Sequence, residues 1–320
     1  MTSDQITSNT RKVASNNVLD ASSSLETSEK KLSDPQSQPI AKSNRESILI
    51  IDFGSQYSRL IARRVRESSV YCEIVSHNTS WESVKSLNPR GIILSGGPAS
   101  VYELDAPMAP SWVYEQELPI LGICYGMQVM VHQLGGKVAP SSKKEYGHAV
   151  LTQNLIDSQL FEGLPPSMSV WMSHGDRIIT PPDDFKILAH SENSPIAAIG
   201  NSKGILGIQF HPEVAHTANG QNILDNFVHD ICACDHSWTP DNFITDAITS
   251  IRKKVGDGKV ICALSGGVDS AVAATLVHRA IGDQLTCIFV NNGLMRREEP
   301  DRVVDTFNKH LGLNLIHVDA

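Results

Sequence analysis

No run of 18 or more apolar residues occurs in the 320-residue chain, and roughly that length is what a helix needs to span a bilayer. The first residues lack the apolar core of a secretory signal. Asp4, Asp20, Glu26 and Glu29 are also out of keeping with an acid-poor transit sequence. No membrane partner is therefore expected. A basic surplus is missing too: 27 Lys and Arg stand against 35 Asp and Glu, a formal net charge of −8. Composition thus offers no phosphate-backbone-binding surface, and no nucleic-acid partner is expected. The six cysteines have neither the paired spacing of a zinc site nor the density of a disulfide scaffold, and Cys232-Ala-Cys234 is too tight for a Cys-x-x-Cys motif. These absences point to a soluble protein of a reducing, cytoplasmic compartment.

What is present divides the chain. Its length exceeds the roughly 100–200 residues of one domain, so two are expected. Residues 1–45 are rich in Ser, Asn, Thr and Gln without helical or strand period, which predicts a disordered extension. From residue 47, Ser-Ile-Leu-Ile-Ile-Asp is an apolar run of the kind buried on both faces of a parallel sheet. Leu60, Ile61 and Val65 then give a helical stripe and residues 70–75 a second strand. Gly91-Ile-Ile-Leu-Ser-Gly-Gly-Pro98 repeats the strand-then-glycine form, and residues 119–123 give a further strand. This alternation predicts an α/β fold, a doubly wound and mostly parallel sheet over 46–234, with its site at the strand C-terminal ends. Later strands are expected at 170–172, with Ser173 and His174 just beyond its end, at 196–199 and at 205–210, and a closing helix over 221–232. Residues 235–242 read as a linker, and 243–320 as a second α/β domain with strands at 259–264, 285–290 and 314–318. The chain ends at Ala320 directly after that last strand, so this domain is expected to be incomplete.

Chemistry concentrates at Gly122-Ile-Cys-Tyr-Gly126. The spacing is that of a nucleophile elbow, a strained strand-to-helix turn that lifts its middle side chain into a cleft. A thiol at a helix N-terminus is drawn toward its nucleophilic thiolate form. On these five residues alone, Cys124 is equally a buried core cysteine. Gly207-Ile-Gln-Phe-His-Pro-Glu213 weighs for the nucleophile. His211 and Glu213 stand two apart at the end of an extended run, which in a strand sends both to one face. Cys124, His211 and Glu213 then supply nucleophile, general base and orienting acid.

Gly-Ile-Cys-Tyr-Gly-Met-Gln together with His-Pro-Glu resembles the triad-type glutamine amidotransferases, which release ammonia from glutamine through a cysteine thioester. Ser95-Gly-Gly-Pro98 and Trp171-Met-Ser-His-Gly-Asp176 are similar to two further segments of that family. The resemblance implies that the amides of Gly97 and Tyr125 hold the tetrahedral oxyanion. It also implies that Gln128, Ser173 and His174 contact glutamine, whereas Met127 and Met130 read as core.

Between a predicted strand and helix of the second domain lies Ser265-Gly266-Gly267-Val268-Asp269-Ser270. Successive amides ahead of a helix N-terminus make an anion nest. The Gly-x-x-x-x-Gly-Lys-[Ser/Thr] signature is absent, and the loop instead resembles the pyrophosphate loop of the ATP pyrophosphatases. That likeness implies a nucleotide-binding domain with ATP as substrate and Mg2+ at Asp269, a residue that could equally cap the helix. The pairing of the two domains resembles the GMP synthetase family. It implies glutamine, ATP and XMP as substrates and a homodimer for the full-length members. A free-standing glutaminase for another acceptor and a non-catalytic glutamine- or nucleotide-binding regulator are the alternatives. The pyrophosphate loop weighs against the first and the complete triad against the second.

Overall fold

The computed structural model describes residues 46–154 and 158–320. The extension expected over residues 1–45 lies outside them. A nine-stranded sheet has the order β2-β1-β3-β4-β9-β8-β7-β5-β6. Its strands are β1 Ser47–Asp52, β2 Tyr71–Ser76, β3 Pro89–Leu94, β4 Ile120–Ile123, β5 Lys137–Gln153, β6 Ser167–Thr180, β7 Lys186–His190, β8 Ala198–Gly200 and β9 Ile205–Ile208. The pairs from β2 through β9 are parallel. Those running on from β9 through β8, β7, β5 and β6 are antiparallel. The parallel half is the doubly wound sheet that the apolar runs predict: Ile48, Leu49, Ile50 and Ile51 are all fully buried, alternate residues serving the two cores on either side.

Four expectations need correction. The strand expected over 196–199 is β8, shifted to Ala198–Gly200, and the one expected over 205–210 stops at Ile208. His211 and Glu213 therefore follow the strand instead of ending it. Ser173 and His174 lie inside the 14-residue strand β6 and not beyond its end, because the antiparallel partner β5 is long enough to keep pairing through them. The helix that begins the second region spans Pro240–Val255, so residues 240–242 of the expected linker are already helical. Thr239 accepts the Asn242 amide as N-cap, and Pro240 needs no amide partner in the first turn.

The second region holds a separate three-stranded parallel sheet, β10 Val260–Leu264, β11 Leu285–Asn291 and β12 Leu315–Asp319, in sequential order. Leu264, Ala274, Cys287, Phe289 and Phe307 make its core. Among the described residues no helix is long and apolar enough to cross a membrane.

Candidate active site

The helix Tyr125–Gln133 starts directly after β4, and Cys124 takes the turn between them at φ 52°, ψ −107°. That conformation strains any residue with a Cβ, and a single strained side chain held at a strand-to-helix turn is what the elbow spacing predicts. The flanking glycines are needed for space. A Cβ at Gly122 would come within 2.7 Å of the Met127 amide, and one at Gly126 would overlap the Leu94 carbonyl. The buried, tightly packed Met127 and Met130 behind the elbow are core, as expected.

His211 and Glu213 meet Cys124 at the C-terminal end of the parallel strands, although strand alternation is not what brings them there. A turn through Pro212 sets His211 Nδ1 2.7 Å from Glu213 Oε1. Neighbouring groups fix both residues: His211 N–H donates to the Trp171 carbonyl, Thr217 Oγ1 donates to the His211 carbonyl at 2.6 Å, and Arg64 Nε donates to the Glu213 carbonyl. Tyr57 stands edge-on to the imidazole, 5.4 Å between centroids. Burial alone would lower the pKa of His211. Its hydrogen bonds to Cys124 and Glu213 and their charges outweigh that and raise it to about 11. The site thus favours a cationic imidazole beside Cys124, the kind of neighbour that activates a cysteine nucleophile.

The loop after β3 brings Gly97 against the elbow. Ser95 Oγ accepts the Phe53 amide and donates to the Gly96 carbonyl, tying this loop to the end of β1. A Cβ at Gly97 would lie 2.9 Å from the Tyr125 ring and 3.1 Å from the Phe53 carbonyl, so only glycine lets the backbone approach so closely. Among the described residues, neither the Gly97 nor the Tyr125 amide donates to a protein acceptor.

A cavity of about 720 Å³ opens over these groups, and Gly97, Cys124, Tyr125, Gln128, Ser173, His174 and His211 all line it. Seven of the eight residues expected in the first site therefore line one cavity, and Glu213, fully buried, stands behind them on His211. The Ser173 carbonyl stands 3.6 Å from Cys124 Sγ. Buried Gln128 donates to the Asp176 carbonyl and to Gln209 Oε1, both at 3.3 Å, so its amide nitrogen braces the cavity wall. Three residues escaped the sequence reading. Gln209 reaches to 3.7 Å from Cys124 Sγ. Asp176, 8% exposed, has its carboxylate latched by Ser100 Oγ at 2.5 Å and Tyr102 OH at 2.7 Å. Glu145 bonds His174 from β5. The first two lie within stretches that the motifs already cover, and the third has no local signal.

Far along the chain lies the second stretch singled out in the sequence, Ser265–Ser270. Gly266 turns at φ +79°, Ser265 Oγ and Ser270 Oγ lie 3.1 Å apart, and the helix Val268–Ile281 begins inside the loop. Asp269 stands exposed in its first turn. Among the described residues no group of three or more His, Cys, Asp or Glu could by itself hold a metal ion. One exposed carboxylate beside an anion nest fits an ion held mainly by phosphate oxygens.

Residues 49–231, which hold this sheet, elbow and buried Cys–His–Glu arrangement, match the family Glutamine amidotransferase class-I. The chain belongs to that family. Residues 242–320 match the family NAD synthase. The chain is 61% identical over 276 residues to the GMP synthase [glutamine-hydrolyzing] of Dehalococcoides mccartyi, covering 86% of this chain and 52% of that protein. It is 54% identical over 275 residues to the enzyme of the same name from Thermomicrobium roseum, again 86% and 52%. Among solved structures, one described as a GMP synthase subunit from Thermoplasma acidophilum matches with a TM-score of 0.54 and 31% identity, over 60% of this chain and 96% of that one. The chain spans about half the length of the curated relatives it matches.

Proposed function

We propose that the chain carries the glutaminase of a glutamine-dependent GMP synthase, a C–N-bond-forming ligase, in residues 46–234, followed by a linker and the first part of its ATP-using domain. The observation that carries this reading is the buried Cys124–His211–Glu213 arrangement at a strained elbow, in one cavity with Gly97 and Tyr125, whose amides donate to no protein acceptor among the described residues. Cys124 thiolate attacks the side-chain carbonyl carbon of glutamine. The resulting oxyanion is received by the Gly97 and Tyr125 amides, donors of a kind whose individual loss costs roughly a hundred- to thousandfold in rate. His211, oriented by Glu213, passes its proton to the departing ammonia and leaves a thioester. It then takes a proton from the water that attacks the thioester, and glutamate departs as Cys124 returns to thiolate. Gln128, Ser173 and His174 form the wall against which glutamine's amino-acid end lies.

In the second region, the Ser265–Ser270 amides receive the pyrophosphate of ATP, and Asp269 would hold Mg2+ on its phosphate oxygens. The released ammonia then joins XMP that ATP has activated, as the family resemblance implies. A homodimer and a cytoplasmic setting belong to the same reading and rest on the family resemblance. The test follows glutamate and GMP together by mass spectrometry after the chain is mixed with amide-labelled glutamine, ATP, Mg2+ and XMP. Glutamate release that vanishes in Cys124→Ala is expected; release that persists in that variant overturns the triad. Label passing into a different acceptor overturns GMP synthesis.

A further inference from the structure

Glu145 lies in the interior, 6% exposed, where an unpaired carboxylate is costly. Its partners explain its place. The register of β5 on β6 sets Glu145 directly opposite His174, after an irregularity that lets β5 skip from Pro140 to Glu145. Glu145 Oε2 is 3.2 Å from His174 Nε2. The turn after β7 adds two hydroxyls: Ser191 Oγ donates to Oε1 at 2.9 Å and Ser194 Oγ to Oε2 at 2.5 Å. All four side chains are buried.

His174 Nδ1 lies 2.9 Å from the Asp176 carbonyl, which can only accept, so Nδ1 carries a hydrogen. Both serine protons are already given to the carboxylate. A neutral imidazole would then turn its Nε2 lone pair on the carboxylate, unless one proton lies between Nε2 and Oε2. The arrangement of acceptors therefore suits one proton more than a neutral histidine beside a carboxylate would hold. Burial lowers the pKa of His174, against the opposing pull of Glu145 and the Asp176 carbonyl, and His211 across the cavity also disfavours charge there. Other groups bordering it are the Ser194 hydroxyl, 3.4 Å from Nε2, and Cys124, which shares the cavity.

We propose that Glu145 is a positioning residue for the glutamine wall: by sharing a proton with His174 it keeps the imidazole's Nδ1–H on the Asp176 carbonyl. The same carbonyl accepts Gln128 Nε2, and the adjoining Ser173 carbonyl faces Cys124, so the wall from Ser173 to Asp176 is held at both ends. The proposal rests on the glutaminase reading above and extends it to a residue that never touches the reacting atoms.

The test uses the 320-residue chain carrying Cys124→Ala, which binds glutamine without turning it over, as reference. Glutamine affinity is measured by calorimetry, and folding by thermal denaturation. Added Glu145→Leu keeps the volume and removes every hydrogen bond, and it is expected to weaken glutamine binding at least tenfold at pH of about 5. Added Glu145→Gln offers Nε2 an amide N–H that cannot ionise. Its dissociation constant is expected to be near the reference at pH of about 5. As pH rises from about 5 to about 8, through the range in which a histidine lowered by burial gives up its proton, the ratio of its constant to the reference's should fall, because the reference alone loses the shared proton. Glutamine's own ammonium titrates alike in both, so the ratio isolates the pair. A ratio that stays constant with pH overturns the proposal, as does a folded Glu145→Leu variant within threefold of the reference. If Glu145→Leu does not fold, the ratio alone decides. A reference chain that binds no glutamine removes the glutaminase reading and the proposal with it, whereas binding that ignores Glu145 removes the proposal only.

Discussion

The two regions use the same local design, a strand running into a glycine-rich loop and then a helix, in different surroundings. Around the elbow, β1, β3 and β4 are buried on both faces, and Cys124, His211 and Glu213 are 5%, 4% and 0% exposed. Around Ser265–Ser270 the sheet is barely covered: Ile261 is 72% exposed, Ile316 48% and Val290 47%. The elbow's strained backbone is held by contacts from several distant segments, as stored strain requires. The Ser265–Ser270 loop is held by its own hydroxyls, Ser265 and Ser270 bonding each other and nearby backbone. A nucleophile needs one fixed geometry before substrate arrives, whereas an anion nest is largely made by consecutive amides and needs less around it.

Substitutions can break or sharpen this contrast. The largest effect is expected from Cys124→Ala, which should lower glutamate release by at least about a thousandfold with the fold retained. Glu213→Gln, which leaves His211 without its orienting carboxylate, should cost between about a hundred- and ten-thousandfold in kcat. Next comes a pair of glycines. Gly126→Ala drives a methyl into the Leu94 carbonyl and should cost about 1–3 kcal/mol, read as a melting temperature lower by several degrees. Gly267→Ala meets only Ser265 Oγ, at 3.4 Å, and should stay within about 0.5 kcal/mol of wild type. Equal losses at the two glycines would end the contrast. Asp269→Ala should weaken ATP binding, measured by calorimetry with Mg2+, about tenfold more than it slows glutamine hydrolysis; equal losses would argue against separate sites.

The smallest effect expected is on stability with pH. His211 is held at about 11 against an ordinary 6.5, so between those values the folded chain keeps a proton that the unfolded chain has released. Its contribution is whole below pH 6.5 and is lost as pH rises toward about 11. The stability of wild type relative to His211→Gln, measured by denaturant titration, should fall across that window. Cys124→Ala removes one of the partners that raise this pKa and should flatten the slope.

Much of this was legible in order along the chain. Apolar runs gave β1 and β3, and glycine spacing gave the elbow, since a strand-to-helix turn that tight admits nothing larger beside Cys124. The His-Pro-Glu motif was found for a reason that the structure corrects: a turn, not strand alternation, turns His211 and Glu213 toward each other. Ser173 and His174 were placed after a strand because the length of β5, which keeps β6 pairing, has no sign in the local pattern of β6.

What the sequence determined by itself is local: where the backbone must bend, which residues between glycines can carry a nucleophile, and where consecutive amides can cradle an anion. These depend on sterics within a few residues. The tertiary structure alone decided the rest. Ser191 reaches Glu145 across 46 positions, Ser100 reaches Asp176 across 76, and Gln209 reaches Cys124 across 85. Such contacts follow from strand order and register, which bring distant segments together only after the sheet has formed, and a buried polar group has its role set by the partner it finds there.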